Sequence, residues 1–248
     1  MLVSPRTLRC WLLAVPVAVA AGLTVVPAPA GAATSPAALY QASVAATGHQ
    51  TSMGYQVVVH EPHQTLTVVG QAGPHAGRQT VTVHQGSTTG HLAVLVTGGT
   101  AYVRGDTSTL EDYLDLPSPI AILYPNRWLS FTPSSSYYAS ITSGVLLASA
   151  VGQTTLSGPY SGGRSTSVGG VPTVAVQGWV ANGGARVPET VDVATTGAHL
   201  PVAASLSAKT QGGRVAVTYR FGPWGHKVAV AVPPHVVPFP NPPSDSAS

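Results

Sequence analysis

From Tyr55 onward, apolar and polar residues alternate in short runs. In Gln79–His84, Val81 and Val83 alternate with Thr80, Thr82 and His84. This period of two belongs to a strand with one buried and one wet face. Tyr55–His60, Thr65–Gly70 and Thr100–Arg104 read the same way, rich in Val, Thr and Tyr and divided by Gly/Pro turns. His91–Thr97 is apolar on both faces, which predicts a central strand. Gly98–Gly99 is a two-residue hairpin signal. Strand signals return near Thr154–Ser157 and Arg164–Val168. They continue through Val171–Ala181, Thr190–Ala194, Pro201–Lys209, Arg214–Phe221 and Lys227–Val232. Turn residues Asn182–Gly184 and Gln211–Gly213 separate two of these pairs.

Helical patterns are few. Ser35–Gly48 predicts one helix, with Ser35 as cap, Pro36 at the first helical position and Gly48 at the end. Leu39, Ala42, Ala45 and Ala46 share one face of it. Between the two strand groups lies a helical insertion. It comprises a short helix at Ser108–Leu114, an irregular proline-bearing stretch at Ser118–Asn126, and Tyr137–Val151 with Ile141, Val145 and Leu146 at helical spacing. Strands that follow one another directly pair antiparallel. The fold class expected is therefore α+β, a single strongly curved antiparallel sheet of about ten or eleven strands with helices over its concave face.

Composition narrows the picture. Apolar residues make up 44% of the 248, enough for a sizeable core, while charged residues make up only 8%. That excludes a coiled coil and a charge-rich disordered chain. The formal charge of +3 includes Arg6 and Arg9 of the N-terminal leader, so the rest is close to neutral and argues against a nucleic-acid partner. Arg6 and Arg9 precede an apolar run from Trp11 to Val26 and a small-residue stretch from Pro27 to Ala33. This is the pattern of a secretory signal peptide over 1–33, cut after Ala30 or Ala33. A secreted or envelope-associated protein follows, with no transmembrane span after cleavage. The single cysteine, Cys10, is too early in the leader for a lipid anchor, and the chain beyond it has no thiol. The main domain is expected over 34–233. From Pro233 to Ser248 there are six prolines and little that could pack, which predicts a disordered or extended proline-rich tail over 234–248.

Several strings in order resemble one family. Tyr102–Asp106 (YVRGD) is similar to its strand end, and Asn126–Phe131 (NRWLSF) to the tryptophan segment after its helical insertion. Val171-Pro172-Thr173 opens a strand as its second half does. Thr196–Val202 (TGAHLPV) and Tyr219–Trp224 (YRFGPW), then Val228–Pro233, resemble its later turn and terminal strand. The pattern is that of the LppX/LprAFG (LprG-like) lipoproteins, relatives of the LolA/LolB carriers and the RseB N-terminal domain. The resemblance covers about Thr34 to Pro233 and lacks the lipobox cysteine. It implies a half-barrel whose hollow holds lipid acyl chains, at roughly 0.8 kcal/mol for each CH₂ removed from water. The candidate lining is Leu92, Val94 and Val96, with Tyr102, Ile141, Val145 and Leu146. The expected ligand is a lipid, another apolar molecule or a lipidated partner. The alternative is an envelope sensor, regulatory or adhesion domain that binds a protein partner without lipid.

Polar chemistry offers less. His60-Glu61-Pro62-His63, with His75, His84 and His91, has a metal-like look, but Pro62 bars the helix that an HExxH site needs. Arg104-Gly105-Asp106 spells an integrin tripeptide at a strand end. No GxSxG elbow or phosphate-binding glycine loop occurs. No catalytic residue, metal or cofactor is expected. Trp128 and Trp224 read as structural anchors.

Overall fold

The computed structural model describes residues 35–152, 155–182 and 185–239. The predicted leader and its cleavage site, the Gly183–Gly184 turn, Thr154 and the end of the tail from residue 240 lie outside the described residues.

Two meanders build one open sheet. The first comprises β1 (Met53–Glu61), β2 (Gln64–Ala72), β3 (Gly77–Gln85), β4 (Thr88–Thr97), β5 (Thr100–Gly105) and β6 (Leu129–Phe131). The second comprises β7 (Ser157–Val168), β8 (Val171–Asn182), β9 (Ala185–Ala194), β10 (Pro201–Thr210) and β11 (Gly213–Trp224). Antiparallel pairing of β1 with β11 joins them, so the first and last long strands lie side by side mid-sheet. A twelfth strand, β12 (Val237–Pro238), runs parallel to β6 at the edge. The order is β12-β6-β5-β4-β3-β2-β1-β11-β10-β9-β8-β7.

One face of this sheet is buried. Register places Tyr55 opposite Gly70, Gly70 opposite Gln79, Gln79 opposite Val94 and Val94 opposite Val103. The adjacent row crosses the junction of the meanders as Val68, Val57, Tyr219, Ala204, Val191 and Val176. The outer face carries Thr and His instead. His84 and Thr89 pair across strands at 3.0 Å, and His60 with Thr65 at 3.3 Å. Among the described residues no three of His, Cys, Asp and Glu gather where they could hold a metal ion.

Five helical segments occur among the described residues. Helix α1 (Pro36–Gly48) packs on β7, β8 and β9. Its cap is Ser35, whose hydroxyl accepts from the Ala38 N–H at 3.2 Å. The buried face is Leu39, Tyr40, Ser43 and Thr47. Ala42 and Ala45 point to solvent, so the alanine stripe expected to face inward does not. The larger area of Leu39 and Tyr40 decides which side turns to the sheet.

The insertion contributes α2 (Thr107–Leu114), α3 (Ser118–Ala121), α4 (Tyr138–Thr142) and α5 (Leu147–Gly152). Asp106 caps α2. Its carboxylate accepts from the Thr109 N–H at 2.9 Å, the His91 N–H at 2.7 Å and the Ser108 hydroxyl at 2.7 Å. Partial burial pushes this carboxyl up, but those hydrogen bonds outweigh it and hold it below the usual range. The integrin-like tripeptide is thereby used inside the fold, since Arg104 lies 5.0 Å over the Trp128 ring. The helix expected over Tyr137–Val151 breaks in two at Gly144, whose φ is 88°.

Three further departures concern strands. Lys227–Val232 forms none. The two short strands expected near residues 154–157 and 164–168 form the single edge strand β7. Its pairing with β8 shifts twice, and Pro159, Gly162, Gly163 and Arg164 interrupt its flatness, which blunts the edge. At the opposite edge the tail does pack. The Val237 N–H donates to the Trp128 carbonyl at 2.8 Å and the Phe239 N–H to the Ser130 carbonyl at 3.0 Å. The Phe239 ring stacks on Phe131 with centroids 4.7 Å apart and meets Tyr137 edge-on at 5.4 Å. One buried aromatic ring is enough to seat a proline-rich segment that otherwise has little to bury.

Phe239→Ala is expected to lower the unfolding free energy by about 3 kcal/mol, the low end for a buried phenylalanine. Urea denaturation followed by tryptophan fluorescence checks this, and an unchanged midpoint would show that the tail is not part of the core.

Candidate functional site

The insertion lies over the buried face of the first meander and leaves a hollow between. The cavity itself is small, about 50 Å³, and only with the open space at its mouth does the total reach about 730 Å³, so as it stands the hollow is narrower than the usual small-molecule site. Its floor is Met53, Tyr55 and Val57 of β1, Leu66 and Val68 of β2, and Val81, Leu92 and Val94 of β3 and β4. Tyr219 and Phe221 of β11 form one wall. Tyr113 and Leu114 of α2, Ile141 of α4, Gly144 and Ala150 of α5 form the roof. Gln79 is the one side-chain amide on its surface.

Gln79 is held by Tyr55. The tyrosine ring lies across Gly70 on the neighbouring strand, where an added Cβ would come within 2.2 Å of it. The hydroxyl thus spans to β3, 3.0 Å from the Gln79 side-chain amide, and reaches the Gly144 carbonyl at 2.8 Å. A phenol has one proton. The Gln79 side-chain oxygen and the Gly144 carbonyl both accept from it, the shorter contact being to Gly144. Burial pushes the Tyr55 phenol well up, so it remains a donor.

Two glycines complete the attachment. A Cβ on Gly77 would sit 2.1 Å from the Val145 carbonyl oxygen, so the turn after α4 can lie directly on the start of β3. Gly73 bridges to Leu146, and the Leu147 N–H donates to the Gly73 carbonyl at 3.0 Å.

Of the seven residues proposed from sequence, Leu92, Val94 and Ile141 sit on the hollow's surface. Val96 shares the face of Val94 and is buried beyond the hollow's end, opposite Ala101. Val145 and Leu146 lie in the turn that clamps the insertion, not on the surface. Tyr102 is on the other face of β5, opposite Leu95 and Ser130, because strand alternation turns it away from Val103. The residues that sequence reasoning missed are Tyr55, Gln79 and the wall of Tyr219 and Phe221. A signal for Tyr55 existed, since it shares a face with Val57 and Val59. Trp128 is half-buried beneath Arg104, and the Trp224 indole N–H donates to the Pro201 carbonyl at 3.3 Å.

A second polar feature lies on the same face of the sheet, in the other meander. Glu189 is 1% exposed, and neither carboxyl oxygen has a hydrogen-bond partner. Its strand neighbours across the ladder are Leu206 and Gly178. Burial pushes its carboxyl up from 4.5 to about 8. Sequence alternation placed it among valines, in register with Val187, Val191 and Val193.

The comparisons follow this geometry. No family model matches the chain, and no curated protein matches it. The crystal structure of LprF from Mycobacterium bovis is 17% identical with a TM-score of 0.51, covering 80% of this chain and 96% of that one. The Mycobacterium tuberculosis lipoprotein LppX is 16% identical with a TM-score of 0.49, covering 79% of this chain and 98% of that one. The likeness to LprF is one of fold, and in fold the chain resembles the LprG-like lipoproteins.

Tyr55→Phe leaves the Gly144 carbonyl and the Gln79 amide without their shared partner inside the hollow. We expect a loss of about 1–3 kcal/mol in chemical denaturation, with faster amide exchange in the insertion. No change in either would mean that the hydroxyl does not hold the insertion down. Glu189 gives a pH dependence. Its carboxyl binds its proton more tightly folded than unfolded, so its contribution is fully present below about pH 4.5, declines as pH rises, and is lost above about 8. Glu189→Gln is therefore expected to flatten the fall of unfolding free energy over that window, by an amount on the order of a few kcal/mol. Parallel curves for the two proteins would contradict it.

Proposed function

We propose that this chain is an extracytoplasmic, non-catalytic carrier that binds a hydrophobic ligand, a lipid or a lipidated partner, in the hollow under the insertion. The carrying observation is the hollow itself, an apolar slot between sheet and insertion with a single side-chain amide on its surface. In this reading the sheet bends as a half-barrel, and the helical segments roof its concave face. The acyl part of the ligand lies along Val57, Val68, Val81 and Val94. The slot widens on loading as the insertion rides up on the Gly144 turn. Fold likeness to LprF supports the reading, as does the leader pattern in the first 33 residues.

Burial of hydrocarbon provides the driving force, and no bond is made or broken. A chain of sixteen carbons would contribute on the order of 10 kcal/mol before the costs of ordering it. Gln79 offers one polar contact without demanding a particular head group.

Protein purified from its native host is expected to release lipid on solvent extraction, and the stripped protein to take up a fluorescent fatty acid. Val81→Phe places a ring in the slot and should weaken uptake about tenfold, equivalent to ~1.4 kcal/mol. Val69→Phe, on the exposed face of β2, should leave it unchanged. An extract without lipid together with no uptake by the unmodified protein would remove the carrier reading.

A further inference from the structure

The insertion also carries an apolar tip that the hollow does not use. Ile122 and Leu123 follow α3 and are 62% and 64% exposed. Their exposure is built in. The Ile122 N–H donates to the Ser118 carbonyl at 3.1 Å, the Leu123 N–H to Ile120 at 3.0 Å and the Tyr124 N–H to Ala121 at 3.3 Å. Pro117, Pro119 and Pro125 stiffen the turn from both sides. The Asn126 N–H donates to the Gly105 carbonyl at 2.7 Å and ties the far end to the sheet. The backbone of this turn therefore holds two adjacent branched side chains out in water.

The surroundings indicate what covers them. From Leu116 to Ser136 the only charged residue is Arg127. Half-buried Tyr124 follows the pair directly, and half-buried Trp128 lies further along the same segment with Arg104 over its ring. Exposed aliphatic side chains, half-buried aromatic rings and guanidinium groups, gathered in or against one short segment, are the chemistries that suit a bilayer from its core outward. Hydrocarbon suits the first, the interface suits the rings, and phosphate headgroups suit the cations. A protruding turn also needs no matching groove in a fluid surface, as it would on a folded partner. Glu111, Asp112 and Asp115, on α2 and its cap, precede the tip and oppose strong attraction to an anionic surface.

We infer that the Ile122–Leu123 turn docks this protein on the surface of a phosphate-bearing lipid bilayer. The apolar pair supplies most of the binding, and Arg104 and Arg127 supply a smaller, salt-sensitive part. Docking stands on the tip alone. Its use in loading rests on the carrier reading, because α3 packs on α2, whose Tyr113 and Leu114 roof the hollow.

The test is co-sedimentation of the protein, purified from its native host, with sucrose-loaded vesicles of phosphatidylcholine and phosphatidylglycerol. The unmodified protein should pellet with the vesicles, and brominated lipid should quench part of its tryptophan fluorescence. Ile122→Ser with Leu123→Ser, at exposed positions that leave the fold alone, should reduce the bound fraction at least fivefold. Arg127→Gln should reduce it less, and only at low salt. Uptake of fluorescent fatty acid from solution should be the same in all of them. An unmodified protein that stays in the supernatant, or a double variant that pellets equally, overturns the inference. Vesicle binding that depends on the tip, in a protein that yields no lipid on extraction and takes up no fatty acid, would uphold docking and remove the carrier reading.

Discussion

The hollow depends on how the insertion is fastened, and Tyr55 is the fastening. Its ring can cross β2 only because Gly70 has no side chain, and its hydroxyl then meets a backbone carbonyl that has no other role in the roof. Gly77 lets the same turn lie on the backbone of β3. Contact at these points holds Gly144–Leu147 close to the sheet, while Ile141 and Ala150 on either side stand over the valines. A roof packed along its whole length would squeeze the slot shut. A roof pinned at one turn leaves it thin but present.

The sheet supplies the other half. Because β1 pairs with β11, the two meanders share one continuous buried face, and Tyr219 of the second meander becomes a wall for the first. The helices divide that face. α1 covers the second meander, where Leu39 and Tyr40 pack down, and the insertion covers the first. Glu189 belongs to the part under α1 and is kept there uncharged by its surroundings, whereas the hollow proper contains no ionisable carboxyl.

Much of the fold was legible because strand pairing leaves a period of two. Val81 and Val83, or Val94 and Val96, could only belong to one face. The α1 start was legible through Ser35 and Pro36, since a cap and a ring-locked φ act locally. What escaped depends on contacts distant in sequence. That Tyr40 turns inward beside Leu39 while Ala42 and Ala45 face solvent is decided by β7–β9, more than a hundred residues on. The break at Gly144 looks like continuous helix until β3 is present to receive the turn. Tyr102 was expected to line the hollow, yet its register with Leu95 sets it on the other face of the sheet. The seat of Phe239 needed Phe131 and Tyr137 to be neighbours first.

The two margins of the sheet have a consequence for how one copy of the chain meets another. One margin is covered by the chain's own returning segment, and the other is kinked by proline and paired glycines and carries a guanidinium. Neither offers a neighbouring copy a straight run of unpaired amides. A broad, threonine- and valine-rich layer of this sort would otherwise be an open template for ordered stacking into fibrils, and borders of this kind work against that stacking.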